Sequence, residues 1–419
     1  MHQDRAVVVT GMGATTPLGG DVASTWSAML AGKSGVRMLT EDWPETIPVR
    51  IAAPAAVDPA SVIDRVQARR LDRCEQLALV AAREAWRDAG APEVAPERLA
   101  VCVATSIGGL SRMLEAYDTL HERGVRYVSP YTIPMMMPSG AAGWISIELN
   151  ARAGVHSPAS ACASSTEAIG YAMTLIRSGR ADVVVAGGAE APIVPLTVAC
   201  FTQIRALSYR NDEPERASRP FDAGRDGFVL GEGAGIVVLE SAEHAARRGM
   251  PGYAVAAGAG YSSDAYHLTQ TDPEGKGPAA AIRGALSDAR TGPGQVVHIN
   301  AHATSTPYGD AAEAAAVRLA LGEHAARPVV SGTKSMTGHP LGAVGAIEAI
   351  AAICALREHV APPTINLEEP DPAVTAIGID IATEPREIGA AAGAVALTNS
   401  FGFGGHNVTL AFTAGGAGR

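Results

Sequence analysis

The chain predicts an α/β fold of buried strands alternating with helices, built from two related halves. Short apolar runs end in small residues: "AVVVTGMG" (6–13), "LAVCVATS" (99–106) and "ADVVVAGGAE" (181–190). Such runs suit strands covered on both faces. Longer stretches such as "EQLALVAAREAWRDAG" (75–90) fall between them and read as helices. The pattern then repeats. "RAVVVTGMGATTP" is echoed by "GYAVAAGAGYSSD" (252–264), and "RLAVCVATSIGG" (98–109) by "QVVHINAHATST" (295–306). "GRDGFVLGEGAGIVVLE" (224–240) is echoed by "NSFGFGGHNVTLAF" (399–412). The echoes keep one order, as a duplicated unit would. The seam falls near 241–252, where "SAEHAARRGMPG" ends a helix and breaks on Gly-Met-Pro-Gly. An N-terminal half therefore spans 1–250 and a C-terminal half 251–419, with sheets expected back to back under helices.

Composition narrows the function. Hydrophobic residues make up 47% of the 419 residues but aromatics only 5%, so the layers are built from Ala, Val and Gly and approach closely. A net charge of -10 argues against a general nucleic-acid binder. The five cysteines are odd in number and no CxxC pair occurs, which argues against a disulfide framework or a cysteine metal site. No signal core and no apolar stretch of membrane-spanning length is present. The expectation is a reduced cytoplasmic protein that binds neither membrane nor nucleic acid.

Three segments carry chemistry. "ASACASSTE" (159–167) places Cys162 ahead of the helical stretch "SSTEAIGYAMTLIRSG". Ser164 and Glu167 have the spacing of a capping box, and Gly179 ends the helix. A helix N-terminus lowers a thiol pKa, yet the same small residues suit a tight turn holding a buried cysteine, so the segment alone leaves both readings open. "HINAHATSTPYGD" (298–310) carries His302, and "SGTKSMTGHPLGAVGAIEAI" (331–350) carries Lys334 and His339. Both histidines lie in the half that mirrors the one holding Cys162.

With "SACAS", "NAHATSTPYGD", "GTKSMTGHPLGAVGAIEAI" and "NSFGFGGHN" in place, the chain resembles the β-ketoacyl-acyl carrier protein synthases of the thiolase-like superfamily. "TGMGATTPLG" and "ASRPFDAGRDGFVLGEGAG" (217–235) match as well. The likeness covers nearly the whole chain and is nearest the elongating synthase II type, in wording that looks actinobacterial. It implies a thiolase fold, two duplicated halves in a five-layered αβαβα sandwich. It also implies decarboxylative condensation of malonyl-carrier with an acyl chain held on Cys162. By the same resemblance His302 and His339 stabilise the enolate, Lys334 sets the electrostatics around His339, and Glu348 is the buried acid. Amides of Cys162 and Phe401 form the oxyanion hole, and Thr304 and Thr306 bind the phosphopantetheine arm. Ile107, Phe201, Phe401 and Gly402 form the acyl pocket and its gate. No cofactor is implied beyond a structural monovalent cation near Asn300, Glu348, Asn399 and Ser400. Such chemistry needs a soft, acylable nucleophile and preorganised donors for the enolate oxygen.

The resemblance further implies a homodimer, with 127–144 at its interface, and an acyl carrier protein as partner. Arg65, Arg69 and Arg73, spaced i, i+4, i+8 in "IDRVQARRLDR" (63–73), are expected on one helical face for docking. Arg70 lies beside them, and Arg205 is a second docking candidate. Met135, Met136 and Met137 read as adaptable packing. Three positions depart from the family pattern: Ser165 replaces a usual Gly, Pro340 a common Leu, and Tyr308 sits in the arm-binding loop. They put acyl-chain length and shape in question. Rival readings are a ketosynthase of a polyketide or polyene pathway, a non-catalytic chain-length-factor partner, and a starter synthase or thiolase.

Overall fold

The computed structural model describes residues 5–40, 43–389 and 391–414. The strands of the first half are β1 (Val7–Thr15), β2 (Leu99–Ala104), β3 (Val155–His156), β4 (Val183–Glu190) and β5 (Gly233–Ser241); β3 is a short, partly exposed edge strand, and each of the others is buried along its whole length. The second half supplies β6 (Ala254–Ser263), β7 (Val296–Asn300), β8 (Val329–Ser331), β9 (Asp380–Ile381), β10 (Val395–Gly402) and β11 (His406–Ala414). The first half runs β3-β2-β4-β5-β1 and the second β6-β11-β10-β7-β8-β9. A short antiparallel contact, Val8 with Val255 and Val9 with Ala254, joins them. Counted outward from this seam, both halves begin with two antiparallel pairs and continue in parallel pairs. Each sequence echo falls on equivalent strands: β1 with β6, β2 with β7, β5 with β11.

Five helices complete the layers: α1 (Arg73–Asp88), α2 (Ser164–Arg177), α3 (Lys276–Asp288), α4 (Gly309–Leu321) and α5 (Val344–Glu358). Helix α1 covers the outside of the first half-sheet, and α3 covers the second with α4 packed on it. Helices α2 and α5 pack on each other between the two half-sheets. Thirteen of the fifteen residues of α5 are buried, as expected of a helix apolar on every side. The result is the αβαβα layering that the resemblance implies.

The outer helices sit unusually close to their strands, and the reason recurs in each half. A Cβ on Gly13 would lie 2.0 Å from the carbonyl oxygen of Ala81, and one on Gly11 2.2 Å from that of Ala85. In the second half a Cβ on Gly260 would lie 2.0 Å from Ala281 O, and one on Gly258 2.3 Å from Ala285 O. Backbone thus packs on backbone, glycine against an alanine ridge, at matching places.

One local expectation fails. Arg65, Arg69 and Arg73 do not share a helical face. Arg65–Ala68 is a single turn capped by Asp64, and the chain breaks before α1. Leu71 plugs the core there, and Asp72 forms a capping box with Glu75 that starts the new helix. Arg73 instead turns toward Glu232, donating from Nε at 2.8 Å and Nη2 at 2.6 Å.

The glycine–alanine contacts make a direct prediction. Gly13→Ala and Gly260→Ala should each lower stability by about 1–3 kcal/mol through overpacking, whereas Gly292→Ala, whose new methyl meets nothing within 4 Å, should change it little. Urea denaturation of the three variants measures this.

Candidate active site

The site is assembled where the two central helices begin. Each is entered through a three-residue 3-10 turn, Ala161–Ala163 before α2 and Leu341–Ala343 before α5. Both turns open on a left-handed residue, Ala161 at φ 51° and Leu341 at φ 38°. Both close alike: Ala163 N–H donates to Ser160 O at 3.0 Å, and Ala343 N–H to Pro340 O at 2.9 Å. Cys162 occupies the middle of the first turn and Gly342 the middle of the second.

The expected capping box does not form. Ala163 takes the N-cap position, so Ser164 is already helical. Its Oγ donates to Ala161 O at 2.6 Å and accepts from Ser160 N–H at 3.0 Å, tightening the cysteine turn instead. Ser165 does not reach the cavity. It is fully buried between the central helices, where its Oγ accepts from Ala346 N–H at 3.0 Å, one of the donors that a helix start leaves unpaired. Pro340 lies against Gly231 and is also off the cavity wall, while Tyr308 stands exposed at the mouth.

His339 Nε2 lies 3.1 Å from Cys162 Sγ. His302 meets the same space, its ring centroid 5.5 Å from that of His339 and 5.9 Å from that of Phe401. Backbone holds both imidazoles in place. Glu313 accepts from His302 N–H at 2.8 Å and Ala303 N–H at 2.7 Å, and His339 N–H donates to Val229 O at 2.8 Å. Behind the rings, Lys334 Nζ donates to Glu348 Oε1 at 2.6 Å with both side chains about 1% exposed.

Phe401 is close to His302, while the backbone amides of Phe403 and Cys162 are among the groups that favour the Cys162 thiolate. Gly402 explains the nearness of the Phe403 amide: a Cβ there would meet Ser160 O at 2.6 Å and Cys162 N at 3.1 Å. Strand β10 therefore ends pressed against the cysteine turn, which brings the next residue's amide over the thiol.

Burial controls the titration of the site. It pushes the Cys162 thiol up to about 11, against the opposing pull of Lys334 and the two backbone amides. The expected helix-end thiolate is thus overridden by desolvation. Burial, and then the charge of Lys334, hold His302 and His339 well below the usual imidazole value. Both rings are neutral at neutral pH. Glu348 is raised to about 7 by burial, with Lys334 opposing.

Cys162, His302, His339, Thr304, Thr306 and Phe401 line one cavity of about 650 Å³. Ile107, Phe201 and Arg205 line it too, whereas Arg65, Arg69 and Arg70 lie exposed outside it. Arg70 stacks 5.1 Å over Tyr131. The sequence reasoning passed over Phe228, whose ring meets that of His339 edge-on at 5.2 Å, although "GRDGFVLGEG" contains it. Glu313 was not singled out either, because its role depends on where α4 sets it beside the amides of His302 and Ala303, which no motif reports. A further cleft of about 600 Å³ beside Trp86 and Ile145 contains neither cysteine nor histidine.

The residues expected around a monovalent cation do not offer it their side-chain oxygens. Asn300 Oδ1 accepts from Thr333, Asn399 Oδ1 accepts from Thr409, and Ser400 Oγ pairs with Thr166. Glu348 Oε2 is buried without a partner, and no step below passes through a cation there.

Residues 4–245 match the family description "Beta-ketoacyl synthase, N-terminal domain" and residues 253–368 "Beta-ketoacyl synthase, C-terminal domain". The chain is 44% identical over 411 residues to the 3-oxoacyl-[acyl-carrier-protein] synthase 2 of Coxiella burnetii, covering 97% of this chain and 98% of that one. It is 43% identical to the protein of the same name from Synechocystis, covering 98% of each. Among solved structures, a beta-ketoacyl synthase from Burkholderia phymatum superposes with a TM-score of 0.89 at 37% identity, over 98% of this chain and 99% of that one. A type II PKS ketosynthase, solved with its acyl-carrier protein and bound to the hexaketide, superposes with a TM-score of 0.89 at 33% identity, over 98% and 100%.

Because the thiolate is the reactive form and burial raises the thiol, alkylation of Cys162 by iodoacetamide should climb roughly tenfold per pH unit between about pH 7 and pH 9, without levelling. A plateau below about pH 8, read by intact mass against time, would show that the helix end and Lys334 outweigh desolvation.

Proposed function

The chain belongs to the β-ketoacyl synthase family, and we propose that it is the synthase II condensing enzyme of fatty-acid elongation. It catalyses a Claisen-type condensation on carrier-bound substrates. The observation that carries the residue assignment is the meeting of Cys162, His302 and His339 in one cavity, with a buried lysine behind the imidazoles.

In this reading the Cys162 sulfur attacks the acyl thioester delivered by an acyl carrier protein. The acyl group passes to sulfur, and the thiol proton leaves with the carrier's pantetheine sulfur. Malonyl-carrier then loses carbon dioxide, and the electron pair of the broken bond becomes an enolate. Neutral His302 and His339 donate from Nε2 to the enolate oxygen, so stabilisation comes from dipoles placed in advance. The enolate carbon attacks the acyl-cysteine carbonyl. The tetrahedral oxyanion rests on the amides of Cys162 and Phe403, and collapse returns the thiolate and releases 3-oxoacyl-carrier. Lys334, fixed by Glu348, keeps the imidazoles unprotonated and draws the sulfur toward thiolate. Thr304 and Thr306 hold the phosphopantetheine arm, while Ile107, Phe201 and Phe401 border the acyl chain.

The chain is read as a homodimer, because exposed Tyr127, Ile133 and Met137 leave apolar surface on the 127–144 segment. Met135 is buried beside them and packs as expected of an adaptable filler. A reduced cytoplasmic setting follows from the free cysteines, and no described helix is long and apolar enough to cross a membrane. The actinobacterial affinity rests on the wording of "AHATSTP" and "FGFGGHN" alone. A polyketide ketosynthase is the second reading, favoured by the similarity to the ketosynthase solved with a hexaketide.

Mass spectrometry of the protein with malonyl-carrier and graded acyl-carriers tests the proposal. Acylation at Cys162 and release of 3-oxoacyl products are expected, with His302→Ala and His339→Ala each slowing decarboxylation about 100-fold or more. Absence of acylation on Cys162 overturns the reading, and a strong preference for keto-acyl chains moves it to the polyketide alternative. For docking, the Arg69→Glu, Arg70→Glu double variant should raise KM for acyl-carrier while sparing small thioesters. Equal losses on both substrates would remove these arginines from the interface.

A further inference from the structure

A carboxylate outside the reacting set joins two walls of the cavity. Glu190 ends β4 and is 1% exposed. Its Oε1 accepts from Thr105 Oγ1 at 2.6 Å and from Ile107 N–H at 3.2 Å. Its Oε2 accepts from Ser106 N–H at 2.7 Å, from Ser106 Oγ, and from Gly342 N–H at 3.0 Å. These donors come from two segments. One is the loop that leaves β2 and carries Ile107 on the cavity wall. The other is the turn that follows His339 and opens α5. The junction has no slack: a Cβ on Gly342 would lie 2.5 Å from Ser106 N and 2.6 Å from Glu190 Oε2.

We propose that Glu190 is a positioning and specificity-determining residue that ties the acyl-facing wall at Ile107 to the turn that aims His339. The inference rests on the ketosynthase reading of the cavity. A chain that displaces Ile107 must either pull the Ser106 and Ile107 amides off the carboxylate or move the carboxylate and Gly342 with it. The first course strands buried donors, which is costly. The second shifts the segment that carries His339. The length and shape of the acyl group are therefore felt at the imidazole before condensation begins. The carboxylate also acts through its charge, since it is among the groups that raise the Cys162 thiol.

The test compares the full-length protein with Glu190→Gln and with the milder Ser106→Ala, which keeps the carboxylate. Self-acylation of Cys162 from short and long acyl-pantetheine thioesters is followed by intact mass, and iodoacetamide alkylation is measured at about pH 8. Glu190→Gln should change the long-to-short rate ratio about tenfold, the scale of pocket discrimination by a methylene or two. Ser106→Ala should change it less, in the same direction. Alkylation should quicken in Glu190→Gln, where a negative charge is lost, and not in Ser106→Ala. That contrast separates positioning from mere support of the fold. An unchanged ratio in both variants overturns the proposal, whatever happens to the overall rate. Should Glu190→Gln not fold, an unchanged ratio in Ser106→Ala is enough to overturn it. A wild-type protein that takes no acyl group on Cys162 overturns the ketosynthase reading instead.

Discussion

The central helices α2 and α5 are walled in by sheet on both sides and by each other, and this constraint organises the site. A helix start leaves several N–H groups without partners inside the helix. At the surface water would take them, but here protein must. Ser165 Oγ therefore reaches across to the N–H of Ala346, and beside it the Thr166 hydroxyl pairs with that of Ser400. Gly345 admits the crossing, since a Cβ there would stand 1.8 Å from Thr166 Oγ1. The turns that carry Cys162 and follow His339 are thus locked together by the same bonds that make the buried layer tolerable. Catalytic geometry and core stability share one set of atoms.

Charge follows from the same burial. An ammonium and a carboxylate removed from water are tolerable only as a close, well-bonded pair, and Lys334 with Glu348 meets that condition. Their environment leaves the imidazoles neutral and the thiol protonated. In the proposed mechanism, a positive charge close behind two uncharged donors would ready them for an enolate without presenting a proton for the carbanion to consume. Desolvation also protects the thiol from adventitious electrophiles until a thioester occupies the cavity.

Much of this was legible in the chain. The duplication was readable because each half must solve the same packing problem with the same residue types, which is why the echoes fall on equivalent strands. The gathering of Cys162, His302 and His339 was readable because motif residues at strand and helix ends retain their surroundings. Four details were not legible. Ser164 and Glu167 have capping-box spacing, but the helix starts one residue earlier than that spacing requires, with Ala163 as its N-cap. The arginines of 63–73 have helical spacing, but Leu71 and Asp72 end one helix and begin another, so periodicity was interrupted by a core plug. The nearness of the Phe403 amide to the thiol follows from how closely Gly402 meets the cysteine turn, a tertiary contact that leaves no trace in spacing. Ser165 likewise looked like a pocket residue until its hydroxyl was found spanning the helices.

The twin turns have one more consequence. In the second half the middle amide, that of Gly342, is held by the carboxylate of Glu190 at the end of β4. At the first-half turn the equivalent strand comes from the second half: β10 ends in Gly402, which brings no side chain to the amide of Cys162. One of the two matching turns is thus filled by the protein's own carboxylate. In the proposed reaction its sibling receives the passing oxyanion, so the molecule carries beside Cys162 a standing likeness of the state that reaction would form.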